Sequence, residues 1–246
     1  DSVTVSEISS TNGSLTNLII NGDDGADTIT VTNSALNVTV SGGAGDDTVD
    51  ATNSSMGLEI NGDADNDTIT GSGGADIING GAGDDAIVGN PGNDTISGGA
   101  DNDTITWNQG DNDDTIDGDA GNDTVVVNGS AVDDSLTVGP SAANRFNISR
   151  DNFGAFSLDI GTVEDVNVNA GDGNDTITVD DLSAAGDLTN VTLSGDGGMD
   201  EFVLNDGGLG ANVTGNIGGG ADNDTLNVSN LTAAETVDLE GMSSTS

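Results

Sequence analysis

The chain has 246 residues and a formal net charge of −42, with two basic residues (Arg145 and Arg150) and neither histidine nor cysteine. Nucleic acid and anionic membrane surfaces are held through Lys and Arg, so both are excluded as partners; the missing histidine and cysteine rule out disulfides and argue against a transition-metal site. Aromatic residues make up 2% and glycine numbers 39, a composition that cannot build a thick globular core, and no apolar run approaches the roughly 18 residues of a membrane-spanning helix.

Taken from its start, the chain alternates apolar residues at Val3, Val5 and Ile8, turns at 11–14 and reads as a strand over 15–20. A first acidic, glycine-bearing segment, GDDGADTIT, follows at 22–30, and a second, GGAGDDTVD, at 42–50. Between them the pattern predicts a strand over Thr28–Thr32, a polar turn near Asn33, and another strand over 37–40. A polar turn at 53–55 closes the same edge one coil later.

From 62 to 106 five nine-residue units run without a gap: GDADNDTIT, GSGGADIIN, GGAGDDAIV, GNPGNDTIS and GGADNDTIT. The sixth position is always aspartate (Asp67, Asp76, Asp85, Asp94, Asp103) and the eighth always isoleucine (Ile69, Ile78, Ile87, Ile96, Ile105). A fixed period with one acidic and one apolar position specifies a solenoid. Glycine disfavours a strand interior, so the first six residues of each unit are predicted to be turn. The last three form a short strand with the isoleucine pointing inward. Two units make one flattened coil, and stacked coils make two parallel sheets with isoleucine ladders between them.

Stacking sets aspartates of successive coils about 4.8 Å apart, where bare carboxylates repel one another. A hard divalent cation between coils removes that repulsion. Calcium suits the place, because it takes roughly six to eight oxygens from carboxylates and carbonyls. In these units the chain resembles the RTX nonapeptide family, GGxGxDxUx, where U is a large apolar residue. The resemblance implies an all-β fold, a calcium-loaded parallel β-roll or β-solenoid with two short strands per coil. It also implies that turn carbonyls and sixth-position aspartates of neighbouring coils share each ion.

The aspartate spacing sorts the expected ligands. Asp27, Asp47, Asp67, Asp85, Asp103 and Asp123 form one series, and Asp76, Asp94, Asp114 and Asp134 a second, both with steps of 18 or 20 residues. Past Asp134 the repeat loosens. Residues 139–165 hold both arginines and Phe146, Phe153 and Phe156, with strand patterns at 145–149 and 155–160. These residues are expected to be coils of the same solenoid, closed by aromatic packing and arginine–carboxylate pairs; a ligand or partner patch is the alternative. Acidic turns return at Asp175, Asp200 and Asp224, with steps of 25 and 24 that suit wider coils carrying calcium on one edge. Ions shared between neighbours would number ~10.

The expected organisation is one continuous solenoid over 1–246. Calcium turns lie on one edge over 1–61 and on both over 62–138; irregular aromatic and arginine-bearing coils follow over 139–169, and wider coils with one calcium edge over 170–246. Acidic pairs recur throughout, but repetition is what ion binding needs, whereas a glycosidase needs two distinctive carboxyls in a cleft; the chain is read as not an enzyme. The expected function is a calcium-dependent extracellular structural module, a segment of an adhesin, surface layer or fibre on a bacterial surface. The alternatives are a secretion and folding appendage of a secreted enzyme, or an ice- or carbohydrate-binding solenoid using the outward row Thr28, Thr48, Thr68, Thr104 and Thr124, which Ala86 interrupts. A start at Asp1 points to a processed or excised chain. Expected partners are calcium and, end to end, copies of itself or neighbouring repeats of a longer chain.

Overall fold

The computed structural model describes residues 2–6, 17–32, 37–152, 154–205, 207, 209, 213–228 and 237–240. Expectations that fall on 7–16, 33–36, Phe153 and 229–236 lie outside these residues. The chain divides into two compact units, Asp1–Asp123 and Thr124–Ser246.

The strands of the first unit are β1 (Ser2–Ser6), β2 (Asn17–Asp24), β3 (Thr28–Thr32), β4 (Asn37–Ala44), β5 (Thr48–Asp50), β6 (Glu59–Ala64), β7 (Thr68–Thr70), β8 (Ile77–Ala82), β9 (Ala86–Val88), β10 (Thr95–Ala100), β11 (Thr104–Asn108) and β12 (Thr115–Ala120). Odd-numbered strands make one sheet, β1-β3-β5-β7-β9-β11, and even-numbered strands the other, β2-β4-β6-β8-β10-β12. Successive strands pair in parallel and in register, so Ile60, Ile78, Ile96 and Ile116 fall in one file and Val49, Ile69, Ile87 and Ile105 in another. All eight are buried, and the threonines or alanine beside the second file (Thr48, Thr68, Ala86, Thr104) face outward. The period-2 alternation of a strand sets one side chain in and the next out. The fold is the all-β parallel β-roll that the nonapeptides predict.

One detail differs from expectation. Strands of the even-numbered sheet do not stop at the turn but run three residues into it: β8 ends Asn79-Gly80-Gly81-Ala82. Glycines of stacked turns pair main chain to main chain there, Gly81 opposite both Asp63 and Gly99. A Cβ on Gly99 would strike the Gly81 carbonyl, whereas aspartate holds the same register place at Asp63 and Asp119.

The second unit comprises β13 (Thr124–Ser130), β14 (Ser135–Pro140), β15 (Arg145–Arg150), β16 (Phe156–Gly161), β17 (Asp165–Gly171), β18 (Thr176–Val179), β19 (Asn190–Ser194), β20 (Glu201–Leu204), β21 (Thr214–Gly218), β22 (Thr225–Asn227) and β23 (Val237–Glu240). One sheet runs β13-β17-β19-β21-β23, all parallel. The other runs β16-β15-β14-β18-β20-β22, and here the expectation of further coils over 139–165 is corrected: β14, β15 and β16 form an antiparallel meander. The turns at 141–144 and 151–155 are short hairpin connections, too brief for the crossover that a parallel pair needs. The meander buries Leu136, Val138, Phe146, Ile148, Phe156, Leu158 and Ile160. Further on, the loops that return to the all-parallel sheet are plugged by Leu182, Leu188 and Leu209, all buried. This edge is closed by apolar side chains where the nonapeptide turns place carboxylates.

Candidate metal centres

In the first unit the turns that lead from the even-numbered to the odd-numbered sheet share one backbone form. In those that enter β7, β9 and β11 the second and fourth residues both have positive φ: Asp63 (81°) and Asp65 (74°), Gly81 (120°) and Gly83 (126°), Gly99 (121°) and Asp101 (78°). Glycine and, less readily, aspartate tolerate that region, which is why the sequence alternates these residue types there. The winding carries the sixth residue under the turn, where its carboxylate is buried: Asp47, Asp67, Asp85 and Asp103 are all at most 2% exposed.

Each buried carboxylate is tied to the coil before it. The Asp27 N–H donates to Asp47 Oδ1 (2.7 Å), Asp47 to Asp67 (2.8 Å), Asp67 to Asp85 (2.7 Å), Asp85 to Asp103 (2.8 Å) and Asp103 to Asp123 (2.8 Å). A second ladder, which the sequence reading missed, runs beside it in the opposite sense. The fifth-position N–H of a later coil donates back to the fifth-position side chain of the earlier one: Asn66 to Asp46 (3.1 Å), Asp84 to Asn66 (2.8 Å), Asn102 to Asp84 (2.8 Å), Asn122 to Asn102 (3.0 Å). Its signal was present, because position five is Asp or Asn at 46, 66, 84, 102 and 122, with Ala26 the exception on this edge.

The sixth-position ladder leaves one oxygen of each carboxylate over. The Oδ2 atoms of Asp47, Asp67, Asp85 and Asp103 are buried without a hydrogen-bond partner. Each faces a cradle formed by the first glycine of its own turn and a carbonyl of the next: a Cβ on Gly80 would strike both Asp85 Oδ2 and the Gly98 carbonyl oxygen, and one on Gly62 both Asp67 Oδ2 and the Gly80 carbonyl oxygen. A buried anion with no donor is costly unless a cation joins it. No three acidic side chains among the described residues converge as a cage; the turns offer carboxylates in file with main-chain carbonyls, a donor mix suited to a hard cation.

The electrostatics agree. Burial, opposed by the Asp47 N–H and reinforced by the Asp85 and Asp47 charges, pushes the Asp67 carboxyl up to about 7. Burial with the Asp85 and Asp123 charges does the same for Asp103, also to about 7. Asp47 and Asp85 are raised too, again first by burial.

The opposite edge is built less uniformly. The Asp76 N–H donates to Asp94 Oδ1 and that of Asp94 to Asp114 Oδ1, both at 2.8 Å. Asp94 keeps a buried, unpartnered Oδ2; burial first, then Asp76 and Asp111, pushes Asp94 up to about 7, and burial with Asp94 and Asp111 pushes Asp114 to about 8. Asp76 differs. The Leu58 N–H binds its Oδ1 (2.6 Å), while the Ser72 N–H binds Oδ2 (2.6 Å) and the Ser72 hydroxyl Oδ1 (2.8 Å), so both oxygens are taken by protein donors.

In the second unit the ladder joins Asp134 to Asp175 (2.6 Å), Asp175 to Asp200 (2.8 Å) and Asp200 to Asp224 (3.1 Å). The first step spans 41 residues because the meander is inserted within it. Asp175, Asp200 and Asp224 each carry an unpartnered buried Oδ2, and burial, ahead of the Asp200 and Asp134 charges, pushes Asp175 up to about 6. Asp134, like Asp76, is satisfied within the chain, through Ser130 and Arg150.

Residues 37–53, 59–87, 80–112 and 110–136 match the family described as RTX calcium-binding nonapeptide repeat, in four copies. Over these residues the chain is similar to the RTX repeat. RTX repeats bind calcium, and the buried oxygens facing the glycine cradles fit that ion. The RTX match ends at 136, where the meander begins. No curated protein matches the chain.

The cradle gives a direct test. Gly80→Ala should raise the calcium concentration needed for half-maximal β-structure about tenfold, since the new methyl opposes a fixed carbonyl at a cost of roughly 1–3 kcal/mol. Ala86→Thr, on the exposed face between Thr68 and Thr104, should leave that midpoint within about twofold. Circular dichroism during calcium titration of both variants checks this; equal midpoints would mean that the cradle takes no part in ion binding.

Proposed function

We propose that the protein is a calcium-dependent extracellular structural module, a stretch of an adhesin, a surface layer or a fibre, whose coils are held rigid by calcium between them. The observation that carries this reading is the file of buried carboxylate oxygens without protein donors, repeated from coil to coil. The ligands proposed are Asp27, Asp47, Asp67, Asp85, Asp103 and Asp123 on one edge, Asp94 and Asp114 on the other, and Asp175, Asp200 and Asp224 in the second unit. Asp76 and Asp134 head their ladders, each carboxylate already held by a serine. Calcium neutralises paired carboxylates that would otherwise have to be buried bare or protonated.

An outside location suits such sites, because calcium there is millimolar and the affinities of extracellular calcium modules match it. RTX repeats are typical of secreted bacterial proteins. A structural role also suits the equivalence of the carboxylates, none of which is set apart as acid or nucleophile. Association of copies end to end belongs to the proposal: a parallel coil presents unlike edges above and below, and contact between unlike edges propagates. Electron microscopy of the calcium-loaded protein over a concentration series tests the assembling role. Fibres or arrays are expected, and dispersed single particles at the highest concentration would defeat it.

A further inference from the structure

Arg150 is only 2% exposed. It leaves β15 beside Leu136 and Phe156, its cross-strand neighbours, with its guanidinium carbon 5.4 Å from the Phe156 ring centre. Nη1 donates to Asp134 Oδ1 at 2.9 Å, and Nη2 and Nε donate to the Gly154 carbonyl at 2.8 and 3.2 Å. The other Asp134 oxygen accepts the Ser130 N–H and hydroxyl, both at 2.9 Å.

At Asp47, Asp67, Asp85, Asp94, Asp103, Asp175, Asp200 and Asp224 the sixth-position carboxylate receives one N–H from the preceding coil and keeps a bare oxygen for an ion. At Asp134 the guanidinium supplies both the missing donor and the missing positive charge, and the serine turn takes the remaining oxygen. Ser72 and Asp76 repeat the serine half of the device, with the Leu58 N–H in place of the guanidinium. We propose that Arg150 is a resident cation standing where calcium stands elsewhere, and that it makes the β14–β16 meander a calcium-independent nucleus within the second unit. The side chains packed there agree. Phe146, Phe156, Ile148, Leu158 and Ile160 give the meander an apolar core, while the coil from Gly80 to Ser97 fully buries two large apolar side chains, Ile87 and Ile96. Charge and apolar burial thus favour the same segment.

The contrast rests on the calcium reading above, and hydrogen exchange of the full chain in chelator near neutral pH separates the two. Amides of 135–161 should exchange at least roughly 100-fold more slowly than unstructured chain, while those of 62–106 exchange at unprotected rates. Arg150→Met keeps the apolar stem without the charge and should lose the protection of 135–161 in chelator; Arg150→Lys, which keeps the charge without the fork, should retain part of it. Fast exchange of 135–161 in the wild type, or full protection in Arg150→Met, would overturn the proposal. Slow exchange of 62–106 in chelator would instead count against calcium as what holds the repeats.

Discussion

Stripping calcium with a chelator at mildly alkaline pH should unfold the nonapeptide coils of the first unit. Far-ultraviolet circular dichroism should lose the β signal of those coils and recover it when millimolar calcium returns. Trp107 reports the same event locally: it is 2% exposed, and its indole N–H donates to the Asn112 carbonyl at 3.0 Å, so its emission should shift to the red as the coils open. The size of the effect follows from how little else holds these coils. An ion at a hundredfold excess over its Kd contributes about 2.7 kcal/mol, so a few linked sites rival the roughly 5–15 kcal/mol of a whole domain. Unchanged dichroism and unshifted emission after exhaustive chelation would sink this account.

The second large effect is a reversal of the pH dependence between calcium-bound and calcium-free protein. Asp67, Asp94 and Asp103 titrate at about 7 and Asp114 at about 8 in the fold, against an ordinary 3.8. A carboxyl raised in the folded state favours folding when protonated. Its contribution is complete below the unfolded value and is lost as pH rises through the folded one. In chelator, the urea midpoint should therefore fall from about pH 4, where the unfolded chain gives up these protons, and level off only above about 8, once Asp175, Asp67, Asp94, Asp103 and Asp114 have lost theirs in the fold as well. In calcium the trend should reverse, because the ion binds the anionic form and protons compete with it. Urea titrations across pH, with and without calcium, decide the matter. Parallel profiles in the two conditions would show that these carboxyls are not the groups that calcium neutralises.

The nonapeptide region was legible because one pattern serves several purposes. Isoleucine at position eight fixes the core file and aspartate at position six the ladder. Each of these can be read from spacing alone. Asp134 was harder, since its step of 20 residues from Asp114 matched the second series. Nothing in that spacing reveals that its ladder partner is Asp175, 41 residues on. The insert responsible has the alternation of ordinary strands, and alternation does not distinguish a parallel coil from an antiparallel meander. What separates them is the connection: 141–144 and 151–155 are hairpin lengths, a cue that was available and outweighed by the surrounding repeats. The roles of Ser72 and Ser130 were hidden differently. A serine after the first glycine looks like a neutral replacement in a turn, and only the fold shows it occupying the oxygen that its neighbours leave bare.

The side-chain ladders of the first unit, like its sheet pairings, join one coil to the next. These links lie along the direction in which coils stack, so tension applied in that direction opens them one coil at a time instead of shearing many together. Each coil that lets go frees 18 or 20 residues of chain, about 60–70 Å of slack. On the function proposed above, calcium between coils acts as a rivet, giving way singly while the remaining stack stays closed. Such a stack yields by lengthening in small increments, and can close again from the coils still in place once the load is gone.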